Sequence, residues 1–115
     1  MDIEDYRIFC LSHPGVTESF PFDERTLVFK VGGKMFSLLD IVTFDSLNLK
    51  CNPEKAVLLR EEYQGVTPGF HMNKRHWNTV NCNGTISDKL LFEWTIDSYN
   101  LVWGSLSKQI RNAIL

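Results

Sequence analysis

The feature that most constrains the fold is a run of three strand-like segments with a glycine pair between the first two. Residues 26–31 and 46–51 alternate apolar with polar side chains, and residues 34–41 return between them with apolar side chains at most positions. The pair Gly32-Gly33 is typical of a tight hairpin turn, because glycine adopts positive φ without steric cost. These segments predict a three-stranded antiparallel meander.

Three other segments carry the signals of helices. An N-cap residue precedes each of them, namely Asp2, Asn52 and Ser87, and Pro53 occupies the first position of the second helix. The predicted helices cover residues 2–12, residues 53–63, and a long terminal stretch that continues toward Leu106. Each has apolar side chains at helical spacing along one stripe.

The remaining segments complete the predicted topology. Residues 16–25 and 66–73 read as irregular connectors, and residues 77–82 alternate as a further strand. The order helix, three strands, helix, strand, helix predicts an α+β fold. We expect one domain over residues 1–115, with an antiparallel sheet and helices packed on one face.

Composition limits the partners of the chain. Of its 115 residues 43% are hydrophobic and 23% charged, and the formal net charge is −2. That balance excludes a protein that coats nucleic acid through bulk positive charge, although it permits a local basic patch. No apolar run reaches the roughly 18 residues of a membrane span, and the acidic Met1–Asp5 lacks the pattern of a secretory signal. We expect no membrane partner.

Three cysteines, Cys10, Cys51 and Cys82, lie far apart in the sequence. They form no C-x-x-C pair, so neither a zinc knuckle nor a thioredoxin-like redox site is predicted. Each lies among apolar or strand-like neighbours and is expected to act as a small buried hydrophobe. Reduced thiols of this kind indicate a cytoplasmic protein.

One segment differs from the rest in charge. Residues 63–87 contain no Asp or Glu, whereas the first 25 residues hold six acids and two Arg. The only formal charges of the segment are Lys74 and Arg75, which lie among two histidines, two asparagines and an indole. The net charge of −2 therefore conceals a segregation of sign along the chain.

This mixture of side chains suits contact with a nucleic acid. Cations neutralise phosphates, asparagines bond phosphates or base edges, and an indole stacks on bases. The predicted contact residues are His71, Asn73, Lys74, Arg75, His76, Trp77, Asn78 and Lys50. Lys55 and Arg60 would extend the patch if their helix lies alongside.

The same block also has a purely structural interpretation. Trp77 would then belong to the core, Asn73 and Asn78 would cap local backbone, and Lys74 and Arg75 would be a solvated pair. Two cations alone supply little of the electrostatic affinity that DNA binding usually needs. Both interpretations stay open at the level of sequence.

Metal binding and catalysis have little support. His71 and His76 are five residues apart, which places them on opposite faces of a strand, while zinc needs three or four converging ligands. His13 is remote, and Cys82 would be needed to complete a set. There is no nucleophile elbow, phosphate loop or dinucleotide fingerprint. We expect a non-enzymatic protein with no catalytic residues, no cofactor and no metal.

Several blocks of the chain, in the same order, resemble a known family. They are Pro14–Phe22, Val28–Val31, Gly33–Phe36, Leu49–Cys51, Pro68–Val80 and Asp97–Tyr99 before Leu101-Val102. The block from Phe70 to Val80, with an Arg between Lys74 and His76, is specific. Together the blocks make the chain similar to the MmcQ/YjbR family of small bacterial proteins.

The resemblance implies a CyaY-like α+β fold, also likened to secretion chaperones, in agreement with the element order above. The family is described as carrying a double-wing DNA-binding motif, and its specific block falls on residues 70–80 of this chain. It has no assigned catalytic residues, so none are carried over. The iron binding of CyaY is not implied, because it depends on an acidic helix surface for which Asp2, Glu4 and Asp5 are too few.

Two functions follow as expectations. The first is a protein that binds duplex DNA through the basic and aromatic block 70–80. The alternative is an adaptor that binds a protein or a small ligand and has no nucleic-acid role, with the same block shaping a groove and the sheet face receiving a partner. The acid-free block favours DNA, and the net charge of −2 favours the adaptor.

Overall fold

The architecture follows the predicted order of elements, with three additions. A computed structural model describes all 115 residues. The helices are α1 (Ile3–Leu11), α2 (Pro53–Glu62), α3 (Asp88–Ser105) and α4 (Lys108–Ile114). The strands are β1 (Val16–Ser19), β2 (Thr26–Val31), β3 (Lys34–Asp40), β4 (Ser46–Lys50), β5 (Val66–Pro68) and β6 (Trp77–Asn81). The predicted α+β class is confirmed.

All six strands belong to one antiparallel sheet in the order β1-β2-β3-β4-β6-β5. The predicted meander is confirmed as β2, β3 and β4. Gly32 and Gly33 join its first two strands with φ values of 58° and 80°, in the region that glycine favours. The strand predicted over residues 77–82 is β6, and it pairs with β4 at the far side of the meander.

The helices cover one face of the sheet, as predicted. A row of apolar residues in register crosses five strands on this face: Leu27, Leu39, Leu47, Val80 and Val66. Each of them is at most 4% exposed. They join side chains of α1, α2 and α3 in one cluster of 19 buried residues, whose burial is the main favourable term in folding.

Polar groups inside this core are paired. Tyr6 Oη lies 2.7 Å from Ser37 Oγ, so α1 is tied to β3. Ser98 Oγ donates to Phe36 O at 2.6 Å and accepts from Lys50 N at 2.9 Å. This hydroxyl from α3 therefore bridges β3 and β4 just beyond the end of their paired ladder. No buried side-chain polar atom lacks a partner, as a well-packed interior requires.

The predicted N-caps are confirmed. Asp2, Asn52 and Ser87 each accept a hydrogen bond from the first turn of the helix that follows, at 2.7 Å, 3.0 Å and 3.2 Å respectively. None of the four helices combines the length and the apolar character that crossing a membrane requires.

Three elements differ from the prediction. β1 lies in the segment predicted as a connector, and β5 lies in the segment predicted as irregular. Both are short edge strands with little alternation of apolar residues, and their pairing partners decide their conformation. The terminal helix ends at Ser105 because Leu106 adopts an extended backbone and buries its side chain, and Ser107 then caps the separate helix α4.

An ion pair joins α1 to the edge strand β1. Arg7 Nε donates to Glu18 Oε2 at 2.9 Å, and Arg7 Nη2 donates to the other carboxylate oxygen. Arg7 Nη1 also donates to the more exposed Glu4 at 2.9 Å. The hydrogen bonds from Arg7 hold the pKa of Glu18 below its usual value.

Replacing Glu18 with Gln should lower the free energy of unfolding at neutral pH by about 1 kcal/mol or less, because the pair is partly exposed. The folded-state pKa of Glu18 lies below its ordinary value of 4.5, so the stabilisation is present above that pH and is lost as pH falls through the folded-state pKa. In urea unfolding the wild type should therefore be more stable than Glu18→Gln at about pH 7, and the difference should disappear as the pH falls through the folded-state pKa of Glu18. Glu4→Gln, which removes the outer partner, should show a smaller difference at pH 7. A loss of unfolding free energy in Glu18→Gln that is the same at every pH would contradict the assignment of this stabilisation to the ion pair.

The two hairpin glycines offer a matched test of packing. A Cβ at Gly32 would lie 2.7 Å from both Cδ atoms of Leu106, whereas a Cβ at Gly33 would meet nothing within 4 Å. Both alanine variants incur the cost of positive φ, about 1–2 kcal/mol. Gly32→Ala should lose a further ~1–3 kcal/mol through overpacking. Equal losses for the two variants in urea unfolding would contradict this account of Leu106.

Candidate nucleic-acid interface

The segment between β5 and β6 folds over the face of the sheet that carries no helix. This segment, residues 69–76, is called the 69–76 loop below. Its Met72 packs on Val28, Leu38 and Trp77, a small apolar cluster separate from the main core. Because Val28 and Leu38 are register partners and alternate with the helix-packed row, the cluster lies on the opposite, helix-free face.

Trp77 and Asn78 lie in the interior. Trp77 is 8% exposed and Asn78 is 1% exposed. Asn78 Oδ1 accepts from Arg60 Nε at 2.7 Å, and Asn78 Nδ2 donates to Ala56 O at 3.4 Å. Neither side chain is open to stack on a base or to read one, so the structural interpretation applies to these two predicted contact residues.

Arg60 holds the start of β6 and the end of the 69–76 loop together. Besides the bond to Asn78, its Nη2 donates to Trp77 O at 3.2 Å and to Lys74 O. The side chain comes from α2 on the helix-packed face and reaches the backbone that leads onto the helix-free face. Arg60 was predicted as an extension of a binding patch, but its donors are used inside the protein.

Lys55, the other predicted extension, is also paired. Its Nζ donates to Asp97 Oδ2 at 2.9 Å, across from α2 to α3. The hydrogen bond to this carboxylate raises the pKa of Lys55. Lys55 therefore presents a neutralised charge and lies outside the surface described next.

The polar residues of the 69–76 loop mostly shape its turns. Asn73 is exposed, yet its Oδ1 accepts from Arg75 N at 3.0 Å and from His76 N at 3.2 Å, so it caps a turn as the structural interpretation predicted. His71 is exposed and has a φ of 58°, a value that a non-glycine residue seldom adopts. His76 is half-buried, and its carbonyl accepts from Cys51 N at 2.8 Å.

Four cations gather at one end of the helix-free face, which we call the basic end: Lys30, Lys50, Lys74 and Arg75. Lys30 and Lys50 are in register with Met35 and Trp77, which pack on this face. Lys74 and Arg75 are exposed on the adjoining turn. Lys74 Nζ donates to Gly69 O at 3.0 Å. None of the four cations forms an ion pair.

The other end of the same face holds a groove of about 740 Å³, with Leu38 and Asn48 among the residues that line it. Phe22 and Phe70, both more than 60% exposed, line it as well. Its charged lining residues are acids, and no Lys or Arg lines it. The helix-free face is thus divided into a basic end and an acidic groove.

The thiols are unsuited to nucleophilic chemistry. Burial raises the pKa of Cys10 to about 12 and that of Cys82 to about 11, and it raises the pKa of Cys51 as well. All three cysteines are free, and a neutral thiol is a poor nucleophile. No three His, Cys, Asp or Glu side chains come together in a way that could hold a metal ion.

Comparison with known proteins assigns the family. A model of the YjbR family matches residues 11–101, which include every strand and the whole 69–76 loop. The chain belongs to the YjbR family. The resemblance found in the sequence is confirmed, and the family match extends over β1–β6, α2 and most of α3 but stops before α4.

Relatives match this YjbR-family chain over most of its length, and a solved structure shares its fold. It is 38% identical to the uncharacterised protein YbdF of Escherichia coli O157:H7 over 92% of this chain and 88% of the relative. It is 28% identical to the uncharacterised protein YjbR of Escherichia coli K12 over 100% and 98% of the two chains. The crystal structure of the Deinococcus radiodurans protein DR2400, a DUF419 domain, superposes with a TM-score of 0.91 at 40% identity, covering 97% of this chain and 86% of that one.

Sequence reasoning missed two parts of this YjbR-family surface. Lys30 was not among the predicted contact residues, although its polar position in an alternating strand indicates that its side chain lies on the helix-free face. Phe22 was named only as the last residue of the block Pro14–Phe22 that resembles the family. Lys30 joins the surface through pairing across the sheet, and Phe22 joins it through the turn that leads into β2, and neither arrangement is visible locally.

Replacing Arg60 with Met should cost about 2–4 kcal/mol of folding free energy, because the buried Asn78 oxygen and Lys74 O lose their donor and Trp77 O keeps only the bond from Gly69 N. The matched control is Arg25→Met, since Arg25 pairs with Asp40 at the surface and its loss should cost below about 1 kcal/mol. Urea unfolding at neutral pH measures both. Similar losses of folding free energy for the two variants would contradict the conclusion that Arg60 holds the start of β6 and the end of the 69–76 loop together.

Proposed function

We propose that this YjbR-family chain is a non-enzymatic, cytoplasmic protein that binds duplex DNA through its basic end. The observation that carries the proposal is the set of four cations, Lys30, Lys50, Lys74 and Arg75, that have no acidic partner. Unpaired cations on one face are the electrostatic footprint of a phosphate-binding surface.

The arrangement around these cations supports the proposal. The strand residues that share this end of the helix-free face are Thr17, Met35 and Trp77, none of which is acidic. Lys30 and Lys50 lie on β2 and β4, separated by one strand, so their backbones are about 10 Å apart across the sheet.

The proposal assigns different roles to the predicted contact residues. Lys50, Lys74 and Arg75, joined by Lys30, neutralise phosphates. His71, Asn73 and His76 position the backbone of the 69–76 loop and border the contact, and Trp77 and Asn78 support it from inside. Free cysteines whose pKa values are raised by burial support a binding role in a reducing compartment.

Fluorescence anisotropy with a labelled duplex, measured across a salt series, tests the proposal. With four phosphate contacts, a plot of the logarithm of the association constant against the logarithm of the salt concentration should have a slope of about −3 to −4. Arg75→Ala should reduce the slope by about 0.9, and Lys50→Ala/Arg75→Ala by about 1.8. The side chain of Arg75 makes no hydrogen bond in the fold, so these variants should remain folded.

The matched control is Lys89→Ala, which removes an exposed, unpaired cation from the first turn of α3. It should leave the salt slope unchanged. The proposal fails if the duplex does not bind at about 20 mM salt, where electrostatic affinity is greatest. It also fails if Arg75→Ala and Lys89→Ala change the slope equally, since binding would then reflect net charge and not the basic end.

A further inference from the structure

The groove at the acidic end of the helix-free face has the size of a small-molecule site. Its volume is about 740 Å³, within the range of about 300–1,000 Å³ that is usual for ligand pockets. Leu38, Met35 and Met72 provide apolar lining, and Ser46 and Thr43 add hydroxyl groups. An apolar lining with a few polar groups is the usual composition of such sites.

The Phe70 wall of the groove is held by a closed set of hydrogen bonds. Thr79 Oγ1 donates to Asn48 Oδ1 at 2.5 Å and accepts from Phe70 N at 2.8 Å. Asn48 Nδ2 in turn donates to Phe70 O at 3.3 Å. The backbone that carries this ring is therefore fixed before a ligand arrives, which lowers the entropic cost of binding.

The turn that follows Phe22 is also held by hydrogen bonds. Asp23 Oδ1 accepts from Thr26 N at 2.6 Å and from Arg25 N at 2.9 Å. These backbone hydrogen bonds hold the pKa of Asp23 below its usual value, so the turn persists at neutral pH. Phe22 is 63% exposed and Phe70 66% exposed, although hydrogen bonds hold the turn after Phe22 and the backbone of Phe70. Exposed rings on fixed backbone are typical of a binding surface.

The charge of the groove selects the sign of its ligand. Asp40 and Asp45 are its charged lining residues. Desolvation opposes the ionisation of Asp40, but hydrogen bonds from the N–H groups of Thr43 and Val42 and from Arg25 keep its pKa below the usual value. Asp45 has no cation within 4.0 Å. Its Oδ1 accepts a long hydrogen bond from Thr43 Oγ1 at 3.4 Å, so the negative charge of the carboxylate is not neutralised at the groove.

We infer that the groove binds a small organic cation, with an apolar or aromatic body between Phe22 and Phe70 and a protonated amine directed at Asp45. The apolar lining takes the body of the ligand, the aromatic rings attract its positive charge, and the unpaired carboxylate neutralises the amine. This site adjoins the basic end, since Met35 and Asn73 line it, but it uses none of the four cations and does not rest on DNA binding.

Two indole probes of opposite charge test the inference by amide NMR of the isotope-labelled chain at about pH 8. Tryptamine should bind with a dissociation constant of about 1 mM or tighter. The changes in amide chemical shift that tryptamine causes should occur at residues that line the groove, namely Thr26, Leu38, Asn48 and Met72. Indole-3-propionate, which carries the same ring with a carboxylate, should bind about fivefold more weakly or worse.

Variants of exposed residues locate the site without disturbing the fold. Asp45→Asn and Phe70→Ala should each raise the dissociation constant of tryptamine about threefold to tenfold. The matched controls are Asp5→Asn on α1 and Phe20→Ala, which removes an exposed ring that does not line the groove. Their dissociation constants for tryptamine should stay within about twofold of the wild-type value. Arg75→Ala should bind tryptamine like the wild type, which separates this test from that of DNA binding.

The inference is overturned if indole-3-propionate binds as tightly as tryptamine, because the groove would then not select a cation. It is overturned equally if the shifts lie away from the groove, or if none appear up to about 10 mM tryptamine, well above the affinity expected for a ligand of this size.

Discussion

The junction between the 69–76 loop and β6 depends on one guanidinium group. Arg60 crosses from α2 and donates to Asn78 Oδ1, Trp77 O and Lys74 O, so a single side chain joins the start of β6 to the end of the 69–76 loop. Backbone hydrogen bonds from Gly69 N to Trp77 O and from Cys51 N to His76 O add to it. Apolar contact alone would hold that loop weakly, because Met72 is its only residue in the small cluster over the sheet. Charge-assisted hydrogen bonds to a buried amide supply the positional precision that the contact lacks.

The two faces of the sheet follow different physical rules. The helix-packed face is organised by apolar burial and closes around a cluster of 19 residues. The helix-free face has a three-residue apolar cluster at its centre and is organised by charge, with Lys30 and Lys50 toward one end and Asp40 and Asp45 toward the other. A net charge of −2 therefore describes neither end, since the local fields have opposite signs.

Local signals in the sequence predicted the meander, the N-caps and the helix-packed face, because each depends on neighbours a few residues away. The edge strands β1 and β5 escaped prediction because pairing with distant strands decides their conformation. Asn78 illustrates the same limit at the site. Its amide has the chemistry of a base contact, but its register turns it toward α2, where Arg60 and Ala56 O satisfy it. Only the register across β4 and β6 could reveal this.

The outer strands of the sheet are short, with four residues in β1 and three in β5. The second of these ends in Pro68, which has no N–H to offer to an incoming strand. Truncated borders of this kind discourage the edge-to-edge pairing of copies that leads to aggregation. An incoming strand would therefore find only a few backbone groups at either border of the sheet to pair with.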